Sequence, residues 1–465
     1  MTIDVLPIAG YGESAHADQR RHPVPASPVG PAAALPSLAG FGADVTEPPR
    51  ERLVTLMRQS RARTLLLAAL LALPVAIAPS WSANAAPIPG DPDLGEPTVA
   101  ATDVGGVSAG EERTAALAVT YGQPRVEVRR PGAAYVKVHF TSLRLVPGDY
   151  VTVADPARRE VHTYRGDPTR GEARPGDSGY TIHRTRGFAA MSVDGDTAIV
   201  TLHAVGARSA TLDRRGFGAR IDRFWRGYDA AEIAANTIGT QAVCGTDARR
   251  DVVCYRNSHP TEFARANAVA RLLRDGRGFC TGWRVGNTNR LLTNNHCVSS
   301  ASGIRATEVQ FEFQCATCGG NNPLPGTKVG GAELLRTSGS LDYTLFSVNN
   351  FSSIQRFGTL FLDVRSARQG ERIYIPGHGD VKPKRLSIFE TEQNGPVCTV
   401  RNPDRGVDIA YNCDTSGGNS GSPVLAGSSH RVIALHHTGR CPSNNGGVKI
   451  DLIYREIASL IDNRG

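Results

Sequence analysis

Apolar and polar positions alternate along much of residues 113–225. In AYVKVHFTS, Val136, Val138 and Phe140 fall on one side of an extended chain, with Tyr135, Lys137 and His139 on the other. GDYVTVAD, EVHTYRG and GDTAIVTLHAV follow, each bounded by Gly, Pro or Asp. Runs of period two with turn residues at short intervals predict an antiparallel β-sandwich over 113–230. Its histidines and acids are scattered along the strands and converge on no chemistry. Such a region serves as a folding or spacer domain, or as a module for a carbohydrate or cell-surface ligand.

Past Phe224-Trp225-Arg226-Gly227 the composition changes. ATEVQFEFQ, LDYTLFSV, ERIYIPG and HRVIALHH read as short strands. Residues 235–465 are long enough for two small barrels sharing a cleft. Near the end, LIYREIASLI places Ile453, Ile457 and Leu460 or Ile461 on one helical face, a stripe suited to packing across the second barrel. The fold class expected is therefore mainly β.

The front of the chain follows another pattern. From Met57 an Arg-rich stretch leads into an apolar run from Thr64 to about Pro79 and then Ala83-Asn84-Ala85. That is the three-part layout of a secretory signal peptide over 57–85. The apolar run is shorter than the ~20 residues that span a bilayer comfortably. Residues 1–56, rich in Pro, Ala and Gly, show no periodicity and read as a disordered lead or a mis-assigned start, with Met57 as the true one. Residues 86–112 read as a linker.

A chain of 465 residues implies two or three domains. The net charge is +8, but the basic residues form no block or basic helix, which argues against nucleic-acid binding. All nine cysteines lie between Cys244 and Cys441. In an exported chain they read as disulfides, with one thiol left over. Cys315 and Cys318 have metal-ligand spacing, but no second CxxC or HxxxH accompanies them, so neither a metal nor another cofactor is expected.

The chemistry centres on CDTSGGNSGSPVL, residues 413–425. A serine hydroxyl attacks a carbonyl only when a base takes its proton, and the oxyanion formed needs donors already in place. Gly417 and Gly418 allow a sharp turn ahead of Ser420, so the N–H groups of Gly418 and Ser420 suit an oxyanion hole. Ser422, before Pro423, reads as structural, and Ser416 lacks the glycine frame. In RLLTNNHCVSS, His296 stands beside Cys297, and a Cys280–Cys297 bridge would tie the incoming strand to this turn. Asp342, leading a strand of apolar residues, suits a buried carboxylate that orients an imidazole. Asp380 and Asp408, in Gly-rich or turn-like settings, read as surface acids.

LLTNNHCV, LDYTLF and DTSGGNSGSPV, in that order, resemble the chymotrypsin-fold serine endopeptidases, in particular their bacterial glutamyl-endopeptidase-like branch. The resemblance covers about 240–465. It implies His296 as general base and acid, Asp342 as its orienter, Ser420 as nucleophile, and Gly418 and Ser420 as oxyanion donors. It also supports the Cys280–Cys297 bridge, and it assigns VIALHHTG to the strand lining the specificity pocket. Asp414 matches the pocket aspartate of trypsin-like members, which receives Lys or Arg. His436 matches the histidine that binds acidic side chains in the glutamyl-endopeptidase-like branch. The two could also neutralise one another, so acidic, basic and broader preferences stay open.

The resulting expectation is a secreted, monomeric serine endopeptidase acting on proteins or peptides. Two alternatives are a catalytically inactive homologue that binds a partner and a secreted serine esterase. The preceding sandwich is outside the family pattern. Arg249-Arg250 is a basic pair that could be a processing site, although basic pairs are common in so Arg-rich a chain.

Overall fold

In a computed structural model, the described residues are 109–465 apart from 184–185, 207–210, 237–240 and 442–443. They belong to one compact unit, Pro89–Gly465. The segments expected to be the lead, the signal peptide and, as far as residue 108, the linker lie outside the described residues. The first strand, Gly110–Val119, begins inside the segment expected to be linker.

Residues 110–227 form a six-stranded and a four-stranded antiparallel sheet. Strand Tyr135–Arg144 lies within the first and pairs with Gly218–Gly227. Strands Tyr150–Ala154 and Thr197–His203 pair within the second. Val136, Val138 and Phe140 meet Val151, Val153 and Val200 in one apolar core between the sheets.

The opposite side of strand Tyr135–Arg144 departs from a simple alternation. Tyr135, Lys137 and His139 are buried as well. Lys137 Nζ donates to Glu308 Oε2 at 2.6 Å, and both side chains are fully buried. Lys328 Nζ similarly meets Glu160 and Asp194, at 2.6 and 2.9 Å. Tyr135 Oη donates to the Gly276 carbonyl. This side of the sheet therefore faces the next body of the chain, not water. A charge in such a place persists only when paired and hydrogen-bonded. Glu308 also accepts from Ser192 N and Ser192 Oγ, and Lys137 and Lys328 hold its carboxyl well below the usual range despite its burial.

That next body is a closed six-stranded barrel of Val269–Arg274, Arg277–Arg284, Leu291–Thr293, Thr307–Phe311, Thr327–Ser338 and Tyr343–Val348. The last part of the chain, with Arg250–Asp251 added as an edge strand, forms an eight-stranded antiparallel sheet. It curls until Ile373 N donates to Cys398 O and Val400 N to Glu371 O, at 2.9 Å each. The interior of this second barrel is filled by Ile375, Val400, Ile409, Val424 and Ile433. Helix Ile450–Ile457 closes the chain. Its Ile453 and Ile457 join Trp283, Leu292 and Leu345 of the first barrel and Leu435 and Val448 of the second in one cluster.

Four disulfides join Cys244 to Cys441, Cys254 to Cys318, Cys280 to Cys297 and Cys398 to Cys413. Cys315 is free and buried. Because Cys318 is bonded to Cys254, the Cys315/Cys318 pair does not form a two-thiolate metal site.

Candidate active site

His296 lies in the turn after strand Leu291–Thr293, and Asp342 in the turn before Tyr343–Val348. The two strands are hydrogen-bonded neighbours in the first barrel, which brings their adjoining turns together. Asp342 has φ +41°, a left-handed conformation that Asp tolerates better than most residues. Asn294 Nδ2 fixes this turn by donating to the Asp342 carbonyl at 2.8 Å.

The Asp342 carboxylate gathers three contacts. Its Oδ1 accepts the backbone N–H of His296 at 2.9 Å. Its Oδ2 lies 2.8 Å from His296 Nδ1 and 3.1 Å from His437 Nδ1. Burial alone would raise this carboxyl, but the hydrogen bonds from His296 and His437 outweigh it and hold the group far below the usual range. With Nδ1 turned to the carboxylate, Nε2 of His296 has no hydrogen-bond partner among the described residues.

Ser420 comes from the second barrel. Gly418 and Gly421 have φ of +99° and +88°, so the chain turns sharply on either side of it. A Cβ at Gly418 would stand 2.6 Å from the His378 carbonyl oxygen, and one at Gly421 2.2 Å from that of Thr281. Thr281, fully buried in the first barrel, braces the loop by two bonds and the adjoining His378 by a third. Its N–H donates to Ser420 O at 2.9 Å, its Oγ1 donates to Gly418 O at 2.8 Å, and the same Oγ1 accepts from His378 N at 3.0 Å. Asp380 N donates to Gly417 O at 2.7 Å. These bonds take the carbonyls of the turn, while the N–H groups of Gly418 and Ser420 meet no protein acceptor among the described residues. Cys297, the residue after His296, brings its sulfur to 3.9 Å from the Ser420 carbonyl oxygen. The Cys280–Cys297 disulfide thus lies between the histidine turn and the serine loop.

The two expected pocket residues are not paired with each other. Asp414 is fully buried, and its carboxylate accepts from the backbone N–H of Cys244 and of Ala248 at 2.8 Å each. Burial lifts its pKa to about 6 against the pull of those two donors. Neighbouring Thr415–Ser416 pairs as a strand with Gln241–Ala242. Asp414 therefore anchors the upstream segment. His436 is buried with Nδ1 2.7 Å from Tyr411 Oη, and burial, reinforced by the charges of His437 and His296, pushes its pKa down to about 3.

Two other expectations need correction. Asp408 is not a loose surface acid, since its Oδ1 lies 3.0 Å from His437 Nε2. Asp380 is paired with Arg385 at 2.6 Å. The side chain of Arg249, half of the supposed processing pair, is buried, with Nη1 donating to Ser416 Oγ and Nε to Asp247 Oδ1.

Sequence reasoning missed His437 and Thr281. For His437 the signal was a second polar residue directly after His436 in an otherwise apolar strand. Thr281 carried no signal, because its partners are backbone atoms 97–139 positions away in sequence.

Residues 280–435 match the trypsin-like peptidase domain. That span contains the turns of His296 and Asp342 and the whole Ser420 loop. The chain belongs to the trypsin-like peptidase family. It is 31% identical over 330 residues to the secreted RxLR effector protein 73 of Plasmopara viticola, covering 67% of this chain and 76% of that protein. It is 28% identical over 169 residues to the glutamyl endopeptidase of Staphylococcus epidermidis, covering 35% of this chain and 55% of that one. Among solved structures, a Glu endopeptidase in complex with MPD aligns with a TM-score of 0.35 and 21% identity, over 47% of this chain and 97% of that one.

Proposed function

We propose that this trypsin-like peptidase is a secreted serine endopeptidase working through His296, Asp342 and Ser420. One observation carries the reading: His296 gives both its backbone N–H and its Nδ1 to one carboxylate. That arrangement fixes the ring and its tautomer and leaves Nε2 as the basic nitrogen. Ser420 Oγ attacks the scissile carbonyl while Nε2 takes the hydroxyl proton. The N–H groups of Gly418 and Ser420 receive the oxyanion. His296 then passes its proton to the leaving amine, leaving an acyl-enzyme on Ser420. Water, deprotonated by His296, attacks the ester and restores the serine.

For specificity we favour acidic or uncharged side chains over basic ones. The carboxylate of Asp414 is already bonded to two backbone donors, so it is ill placed to receive Lys or Arg. The likeness to a glutamyl endopeptidase points the same way. Export rests on the signal-like run at 57–85, the four disulfides and the secreted relative. To the sheets of 110–227 we assign bracing of the first barrel through buried ion pairs, in place of the carbohydrate-binding alternative.

The test is covalent labelling of the full chain with a fluorophosphonate, followed by digestion of a mixed peptide library. An adduct on Ser420 and cleaved peptides support the reading. No adduct overturns it in favour of a non-catalytic binding protein. An adduct without release of peptides from denatured casein turns it into an esterase.

A further inference from the structure

The carboxylate that orients His296 is itself held by a second histidine. His437 lies on strand Val432–Thr438, where the pairing with Asn445–Lys449 slips between His436 and Thr438. A bulge of this kind re-aims a side chain. Here it accompanies a ring suspended between two acids, with Nδ1 3.1 Å from Asp342 Oδ2 and Nε2 3.0 Å from Asp408 Oδ1. Both acids are acceptors, so a ring that satisfies both must donate from both nitrogens and carry a positive charge.

We propose that His437 is a positioning residue, an imidazolium held by Asp408 that keeps the Asp342 carboxylate ionised and aligned with His296. The proposal rests on the triad reading above. It extends the hydrogen-bonded line to His296, Asp342, His437 and Asp408.

The surroundings of His437 support the charge. Asp342 faces it from the turn before Tyr343–Val348, and Asp408 from strand Asp408–Tyr411. His296 lies on the far side of Asp342, and the nearby cation is Arg405, whose guanidinium is 3.5 Å from Asp408. His436, on the same strand, is kept neutral by burial. Burial also disfavours the charge on His437, but the hydrogen bonds to Asp342 and Asp408 outweigh it and hold the pKa up at about 9.

The chemical consequence concerns Asp342. The Asp342 carboxylate, already bonded to His296 through Oδ1 and Oδ2, is kept ionised and held more firmly by a further donor. His437 supplies that donor on Oδ2, while Asp408, which does not touch Asp342, supplies the counter-charge. Activity then needs His437 protonated, so it is present below the His437 pKa and falls as pH rises through it.

Two measurements test this. The first uses the full-length Ser420→Ala variant with isotope-labelled histidine, so that ring protonation is read by NMR without turnover. His437 is expected to carry protons on both nitrogens at pH 7 and to titrate above pH 8; titration at or below pH 7 overturns the proposal. The second follows the rate constant for fluorophosphonate attachment to Ser420 against pH. Asp408→Asn is expected to move the alkaline limb down by at least one pH unit and leave the acid limb in place. His437→Gln is expected to slow labelling roughly ten- to a hundredfold, as loss of one charge-assisted hydrogen bond implies, and to remove the alkaline limb, because the titrating ring is gone. Profiles that superimpose on the wild type after scaling would make His437 merely structural and overturn the proposal. A wild-type chain that takes no label removes the triad reading instead, and the NMR titration then decides the state of His437 alone.

Discussion

The backbone N–H of Thr281 donates to the Ser420 carbonyl at 2.9 Å, so a strand of the first barrel holds the loop carried by the second. Its hydroxyl adds a bond to Gly418 O. Together they hold the carbonyls of Gly418 and Ser420, while the N–H groups of the same two residues meet no protein acceptor among the described residues. Thr281→Val keeps the backbone bond and removes the hydroxyl. Stability should fall by about 1–3 kcal/mol, the cost of leaving buried partners unsatisfied. Labelling of Ser420 should slow more steeply than that loss would suggest, because the oxyanion donors lose their alignment. Parallel thermal melts and labelling kinetics check both.

Gly421→Ala should abolish labelling. The new methyl would stand 2.2 Å from a backbone oxygen at a residue with φ +88°, and neither can yield without moving Thr281. Ser422→Ala, two residues from the nucleophile, should retain most of the labelling rate. Equal losses from Ser422→Ala and Ser420→Ala would put the nucleophile in the wrong place.

Lys137 and Glu308 couple the upstream sheets to the first barrel. Lys137→Met leaves the Glu308 charge buried with one partner fewer and should cost about 3–5 kcal/mol. Replacing both by apolar residues should recover a large part of that loss. If the pair joins the two regions as argued, the wild type unfolds in one transition and the single variant in two, as read by calorimetry. Two transitions in the wild type would count against it.

Asp414→Ala should free the segment around Cys244–Ala248 from its two backbone anchors and lower stability by about 1–3 kcal/mol. Cleavage of a peptide library by this variant should keep the residue preference of the wild type. Loss of a preference for Lys or Arg would show that Asp414 reads the substrate after all.

Stability should also depend on pH through two groups. Asp414 is raised from its ordinary value to about 6, so its contribution is present below about pH 3.8 and lost as pH rises through 6. His437 is raised to about 9, so its contribution is full below about pH 6.5 and lost as pH rises through 9, on the order of 3 kcal/mol. The melting temperature should therefore decline towards alkaline pH in two steps. Asp414→Asn should remove the lower step and His437→Gln the upper one.

The sequence by itself determined the mainly β class, the short strands, the amphipathic end helix and the three segments that resemble a peptidase site. Period-two alternation and glycines flanking a serine are local constraints, written in neighbouring residues, and so they can be read without coordinates. The tertiary structure decided which polar residues meet. Lys137 looked like the outward side of an ordinary strand until Glu308, 171 positions on, was found buried against it. Asp408 looked like a surface acid until the strands brought His437 to it. Asp414 had the right offset for a pocket residue, yet its carboxylate is taken by backbone N–H groups of a segment some 170 positions earlier. Hydrogen bonds between distant residues depend on strand pairing and sheet closure, and side-chain chemistry along the chain does not encode them locally.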